Sequence, residues 1–308
     1  MFKKVLKGTG LFLVALIVLA GILLWTPDKS RAELENTYGS PQNGYITALG
    51  VKIHYQDTGP SKNTIPILFL HGFGSSLQTW DSWSKSLSSE YRVISVDLPG
   101  FGLTGEDPSG IYTDQRSVEV LEAFLKELRI PKVVIVGNSM GGKLAWQFAA
   151  QYPEQVSKLV LISPDGYASP GIEYGKKTEI PAIANLYRYF FSKSFLAMNL
   201  EPAYANPQTL NDGLVNRYYD LMLAPGVRGA ILARMQQTVL KDPVPSLTKI
   251  QAPTLLMWGE KDAFIPISNS EDYLKVMPNA KRVSLPNIGH LPQEEQANVG
   301  LQALKDFL

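Results

Sequence analysis

The residues of this chain that could do covalent chemistry converge on Gly137-Asn138-Ser139-Met140-Gly141-Gly142. That string follows the apolar run Val133 to Val136 and opens a helix-like stretch containing Leu144. Strand, sharp turn and helix in that order make a nucleophile elbow, in which a serine hydroxyl stands on a strained backbone. Gly137 and Gly141, two residues to either side, let strand and helix approach without a Cβ clash. A serine hydroxyl is a weak nucleophile at neutral pH and needs an adjacent base. The chain offers three histidines, His54, His71 and His290. His54 falls in a hairpin strand and His71 in a turn, places where ring nitrogens are satisfied by backbone groups. His290 follows the short run Val283 to Leu285 in a late loop and is the expected base. The imidazole then needs a carboxylate to orient it and to stabilise the imidazolium. Asp262, just past the run Thr254 to Trp258, leads; Asp165, after the preceding strand, is the rival, and Glu260 stands behind both.

These groups need a frame that brings them together. Tyr45 to Ala48 and Val51 to Asp57 alternate around Gly50 as a hairpin. Ile65 to Leu70, Tyr91 to Val96, Val133 to Val136, Lys158 to Ile162, Thr254 to Trp258 and Val283 to Leu285 are short apolar runs. Helical patterns separate most of them; Val118, Leu121, Phe124, Leu125 and Leu128 form one face, stopped by Pro131. Strands buried on both faces and joined through helices predict a mainly parallel, eight-stranded α/β sheet flanked by helices. The core is expected over 44–164 and 251–308. Residues 165–250 hold helix-like pieces rich in Tyr and Phe, broken by prolines, and read as a helical cap. Within it Tyr187, Phe191 and Phe195 recur every four residues, as packing against the core or as a wall for a substrate.

The first residues differ from the rest. Gly8 to Trp25 carries no charge and reaches about 27 Å as a helix, enough to cross a thin bilayer. Lys3, Lys4 and Lys7 precede it, so 1–7 is expected in the cytoplasm, 8–25 as a single-pass anchor in the inner membrane, and the remainder in the periplasm or outside the cell. A cleaved signal peptide is the alternative, against which the length of the run speaks. Residues 26–43, polar and without an apolar period, read as a spacer.

Composition narrows the function. A chain of 308 residues with 45% hydrophobic and 19% charged side chains is globular in bulk, and a net charge of +1 gives no basic field for nucleic acid. The absence of cysteine removes disulfides, thiolate zinc sites and thiol catalysis. Gly100-Phe101-Gly102-Leu103-Thr104-Gly105 matches a dinucleotide fingerprint, but Pro99 precedes it and Asp107-Pro108 follows before any helix. No cofactor and no metal site is implied, and the oligomeric state is not readable.

Ser139, Asp262 and His290 in that order resemble the α/β-hydrolase family. So do His71-Gly72-Phe73-Gly74 after one strand and Asp97-Leu98-Pro99-Gly100-Phe101-Gly102 after the next. The likeness covers Gly44 to Leu308. It implies an oxyanion hole made by the backbone N–H groups of Phe73 and Met140, and helix-terminal amides at Met140 suit developing negative charge. It further implies hydrolysis of a small-molecule or lipid-like carboxylic ester through an acyl-enzyme, as in bacterial membrane-associated esterases and lipases. The string around Ser139 also resembles carbon–carbon bond hydrolases of ring-cleavage products, although Leu291 follows His290 where those enzymes usually carry Trp. A membrane-tethered sensor that uses the pocket without turnover is the reading from a different class.

Overall fold

The computed structural model describes residues 15–16, 18–19, 21–60, 65–168 and 173–308. The segment 1–7 and half of the expected membrane segment, 8–14, 17 and 20, lie outside the described residues. Residues 21–24 are helical and expose Ile22, Leu23 and Leu24. Among the described residues no helix is long and apolar enough to cross a membrane.

Eight strands form one sheet in the order β1-β2-β4-β3-β5-β6-β7-β8. They are β1 (Asn43–Ala48), β2 (Val51–Thr58), β3 (Ile67–Leu70), β4 (Val93–Val96), β5 (Val133–Asn138), β6 (Val156–Ile162), β7 (Thr254–Gly259) and β8 (Ala280–Leu285). The β1–β2 and β2–β4 pairings are antiparallel and every other pairing is parallel, the mainly parallel α/β sheet that the apolar runs predict. Alternation along each central strand divides the core in two, because successive side chains point to opposite faces. Leu68, Leu70, Ile135, Leu159 and Leu161 pack with Val118, Leu121 and Phe124 of α3 (Asp114–Glu127), Leu144 and Phe148 of α4 (Met140–Gln151) and Tyr273 of α9 (Asn269–Val276). Ile67, Phe69, Val134, Val136 and Val160 meet Trp83 and Leu87 of α2 (Asp81–Leu87) and Leu301 and Leu304 of α11 (Ala297–Lys305) on the other face. Truncating any of these side chains to alanine costs about 2–5 kcal/mol.

Between β6 and β7 the chain leaves the sheet. It forms a 3-10 turn at Ala182–Arg188, then α5 (Lys193–Leu200), α6 (Asp212–Met222), α7 (Val227–Gln237) and α8 (Val244–Leu247). The aromatic repeat of four is not one helix: Tyr187 is on the 3-10 turn, Phe195 on α5, and Phe191 in the break between them.

The stretch 26–43, expected as a spacer, is docked instead. It carries α1 (Arg31–Tyr38), capped by the Ser30 hydroxyl accepting from the N–H of Glu33. Thr26 N–H donates to Tyr189 O at 2.8 Å and Lys29 N–H to Leu223 O at 2.8 Å. The Tyr38 hydroxyl donates to Asp220 at 2.9 Å, and the Arg31 guanidinium reaches Leu103 O. Leu34 is the one buried residue of α1, which is why no apolar period marks this helix in the sequence.

Candidate active site

Strand β5 ends at Asn138 and α4 begins at Met140, so Ser139 alone makes the turn, at φ 55 and ψ −120. A non-glycine residue there is strained, and the neighbours over-determine it. A Cβ on Gly137 would lie 2.3 Å from Gly141 O, and one on Gly141 would lie 2.2 Å from Leu70 O. Both positions therefore require glycine for the strand–helix approach. Ser139 N–H donates to Ile162 O at 3.0 Å, tying the turn to β6.

His290 lies in the loop after β8. Its backbone N–H donates to Ala203 O at 2.7 Å, and its own carbonyl accepts from the Asn138 side-chain amide at 3.1 Å. The residue before Ser139 thus holds the loop that carries the histidine. His290 Nδ1 is 2.7 Å from Asp262 Oδ2, while Asp262 Oδ1 accepts the N–H groups of Phe264 and Ile265, each at 2.9 Å. The carboxylate is buried and fixed by three bonds, which sets Nδ1 as the donor and leaves Nε2 free to accept a proton. Phe264 packs edge-on to the ring at 5.3 Å. No hydrogen bond joins Ser139 Oγ to His290 among the described residues; both line one cavity, and such bonds are often loose in a site without substrate.

Asp165 has a different partner. Its Oδ2 lies 3.4 Å from Lys143 Nζ, and Asp114 lies 3.0 Å from the same ammonium. Burial works against the charge of Lys143, but the two carboxylates outweigh it and hold its pKa above the usual lysine value. The geometry separates the two aspartates that the sequence left as alternatives: Asp262 meets the imidazole and Asp165 neutralises a buried lysine.

The amides of Phe73 and Met140 donate to no acceptor among the described residues. Met140 is the first residue of α4, where an N–H has no partner within the helix and the helix dipole is positive. Gly74, at φ +70, bends the turn after β3 that carries Phe73. The other histidines are bound structurally. His71 donates from Nδ1 to Gly72 O at 2.7 Å and accepts from Leu98 N–H at 3.0 Å. His54 is held by side chains where backbone partners were expected, Asp97 at 2.7 Å and Asn43 at 2.9 Å.

The cavity at Ser139 has a volume of about 350 Å³. Core residues Gly72, Phe73, Asn138, Ser139 and His290 line one side, and Tyr187, Phe191, Phe195, Leu196, Leu200 and Met222 from the cap line the other. The aromatic repeat therefore serves both expected roles: Phe191 is buried and stacked on Tyr219 at 5.2 Å, yet all three aromatics border the cavity. A second cavity of about 270 Å³, bordered by Phe73, Ser139, Met140, Lys143, Asp165 and Arg234, shares Phe73 and Ser139 with the lining of the first.

One cluster was not found from sequence. Glu294, on α10 (Pro292–Glu295), is buried and accepts from Thr79 Oγ1 at 2.6 Å, Tyr204 at 2.6 Å and Tyr218 at 3.1 Å, and from the Arg217 guanidinium. The Tyr218 hydroxyl in turn accepts from Ser75 at 3.4 Å, in the turn that carries Phe73. No local spacing marks this cluster, because its members come from four separate parts of the chain.

Strained serine, oriented imidazole, buried carboxylate and two free amides can perform acyl transfer by a serine nucleophile. The known proteins that this chain is similar to are named as hydrolases. The chain is 33% identical over 272 residues to the 2-hydroxy-6-oxononadienedioate/2-hydroxy-6-oxononatrienedioate hydrolase of Paraburkholderia phymatum, covering 84% of this chain and 91% of that protein. A crystal structure of a membrane phospholipase A superposes with a TM-score of 0.74 at 25% identity, over 100% of this chain and 98% of that one. A thermophilic esterase from Thermogutta terrifontis superposes with a TM-score of 0.71 at 26% identity, over 86% and 97%. The family model for the alpha/beta hydrolase fold matches residues 65–297, and the chain belongs to that family.

Proposed function

We propose that this protein is a serine hydrolase of carboxylic esters, with Ser139 as nucleophile, His290 as general base and acid, Asp262 as its orienting carboxylate, and the Phe73 and Met140 amides as the oxyanion hole. The observation that carries the reading is the Asp262–His290 bond at 2.7 Å beside Ser139 in a cavity walled by apolar and aromatic side chains. In this mechanism His290 Nε2 takes the Ser139 proton as Oγ attacks the ester carbonyl carbon. The carbonyl oxygen becomes an oxyanion between the two amides. Collapse expels the alkoxide, which takes the proton from the imidazolium and leaves as the alcohol. A water then attacks the acyl-enzyme, His290 accepting its proton and returning one to Ser139 Oγ as the acid departs. Two cavities that both border Ser139 offer separate room for the two limbs of an ester.

Carbon–carbon hydrolysis of ring-cleavage products is the second reading, favoured by the 33% identical relative. A series of p-nitrophenyl esters of increasing chain length, set beside a vinylogous 1,5-diketone acid, separates the two in the full chain held in detergent. Turnover of the esters with none of the diketone acid is expected; the reverse would transfer the assignment to carbon–carbon cleavage, and turnover of neither would leave a sensor.

The same proposal places the protein as a single-pass inner-membrane protein anchored by 8–25, with the catalytic domain in the periplasm or outside the cell. The charge-free run from Gly8 to Trp25 supports it, as does the likeness over the whole chain to a structure described as a membrane phospholipase A. Retention through a carbonate wash and digestion of the domain by protease added to spheroplasts are expected. Release by carbonate would remove the anchor, and protection until lysis would reverse the topology.

A further inference from the structure

Large exposed apolar side chains recur from residue 22 along the cap segment that borders the Ser139 cavity. Ile22, Leu23 and Leu24 begin the series. Trp25 stacks on Tyr189 at 5.3 Å and meets Phe190 edge-on at 6.3 Å, and the Thr26 N–H bond to Tyr189 O fixes the junction. The series continues over the cap through Ile183, 72% exposed, and Leu186, and ends on α5 at Phe195 and Met198, 62% exposed. Phe195 also lines the cavity. A set of large apolar side chains this open to water is uncommon on a soluble surface and marks a contact.

Charge says what the contact is. Between residues 180 and 200 the charged groups are Arg188 and Lys193, both cationic and exposed; acids return only at Glu179 and Glu201, the ends of the segment. Tryptophan and tyrosine beside aliphatic side chains, with cations interspersed, fit the boundary between acyl chains and anionic headgroups. A second copy of this chain would set Arg188 and Lys193 near their own kind if this surface faced itself.

We propose that the cap segment from Ala182 to Leu200 lies on the surface of an anionic lipid bilayer, so that the Ser139 cavity opens at the headgroup level and receives acyl chains from the membrane. The contact continues the face begun by residues 22–25. Only its consequence, the route of a lipid ester to Ser139, rests on the proposed ester hydrolysis.

The chain contains no cysteine, so single labels are clean. Ile183→Cys and Glu154→Cys in the full chain, each carrying an environment-sensitive fluorophore, are reconstituted into phosphatidylethanolamine–phosphatidylglycerol vesicles. Glu154 is exposed, on the 3-10 turn Pro153–Gln155 that leads into the amino end of β6. The label at 183 should shift to the blue and be quenched by lipids brominated high on the acyl chain, and the label at 154 should do neither. Identical behaviour of the two labels overturns the proposal. So does a shift at 183 that needs no lipid and grows with protein concentration, which would put a second copy on this face. This arm needs no turnover and stays decisive if the ester reading fails. In the second arm, Ile183→Asp with Leu186→Asp should keep turnover of a soluble short-chain ester within about twofold while lowering that of a vesicle-embedded ester about tenfold. Equal loss on both substrates would contradict a lipid contact.

Discussion

On the core side of the cavity the reacting groups are set by backbone. Ser139 occupies a turn that Gly137 and Gly141 make possible, Asp262 is held by two amides, and the His290 loop is tied to Asn138. On the cap side, Tyr187 and Phe191 are placed by aromatic packing, and the cap is tied to the core at several points: Ala203 to His290, Arg234 to Ser117 and Pro99, and the Tyr204 and Tyr218 hydroxyls to Glu294. The first wall tolerates no rearrangement at its glycines. The second is held by side chains, and the ties at Glu294 depend on a single charge. On the proposed function, chemistry and substrate selection are separated: the core wall would act on the carbonyl and the cap wall would select what reaches it.

The largest effects should follow changes to the core wall. Ser139→Ala and His290→Ala should each lower kcat by about 10⁴-fold or more with circular dichroism unchanged, because members of such a unit are not additive. Asp262→Asn should cost on the order of 10³- to 10⁴-fold by disturbing the imidazole tautomer, whereas Asp165→Asn should stay within about tenfold, since its partner is Lys143. The opposite ranking in steady-state kinetics would break the distinction between the two aspartates.

Effects on the cap wall should be smaller in rate and larger in stability. Glu294→Ala leaves the partly buried Arg217 guanidinium without its carboxylate and the Tyr204 and Tyr218 hydroxyls without their acceptor, a loss of about 1–3 kcal/mol. Thermal unfolding should show it, together with a KM that rises more than kcat falls. Glu294→Gln keeps hydrogen-bonding capacity and should recover part of both. A change confined to kcat would instead place Glu294 with the reacting groups.

The smallest effect is a dependence on pH away from the reacting groups. Burial lowers the pKa of His71, so unfolding takes up a proton there. Its contribution is fully present above about pH 6.5 and declines as pH falls below that value. Burial pushes Asp97 up, but the hydrogen bond and charge of His54, the charge of His71 and the Leu77 amide together outweigh it and hold the carboxyl below its usual range. Stability from that pair is therefore retained above about pH 4 and lost on further acidification. Melting temperature should decline from pH 6.5 to 5, and His71→Asn should flatten that slope while lowering stability overall.

The contrast between the walls also explains what could be read from the sequence. Buried strands announce themselves as apolar runs because both faces are covered, and the Ser139 elbow is legible because strand, glycines and helix are contiguous. Asp262 and Asp165 look alike in sequence, each just past a strand, and only the amides of Phe264 and Ile265 and the position of Lys143 distinguish them. Helix α1 was hidden because its docking uses one buried leucine, backbone bonds and the Tyr38–Asp220 contact instead of an apolar stripe. Glu294 was hidden because Arg217 lies 77 positions away and Thr79 lies 215 away, so no local pattern can report the cluster.

The central claim is that the side chain on the strained turn is the nucleophile. Treating the full chain with a fluorophosphonate and locating the adduct by peptide mass spectrometry tests it directly. One adduct per chain, on Ser139, abolished by Ser139→Ala and slowed by His290→Ala, is the predicted result. An adduct on another serine, or undiminished labelling of Ser139→Ala, would contradict it.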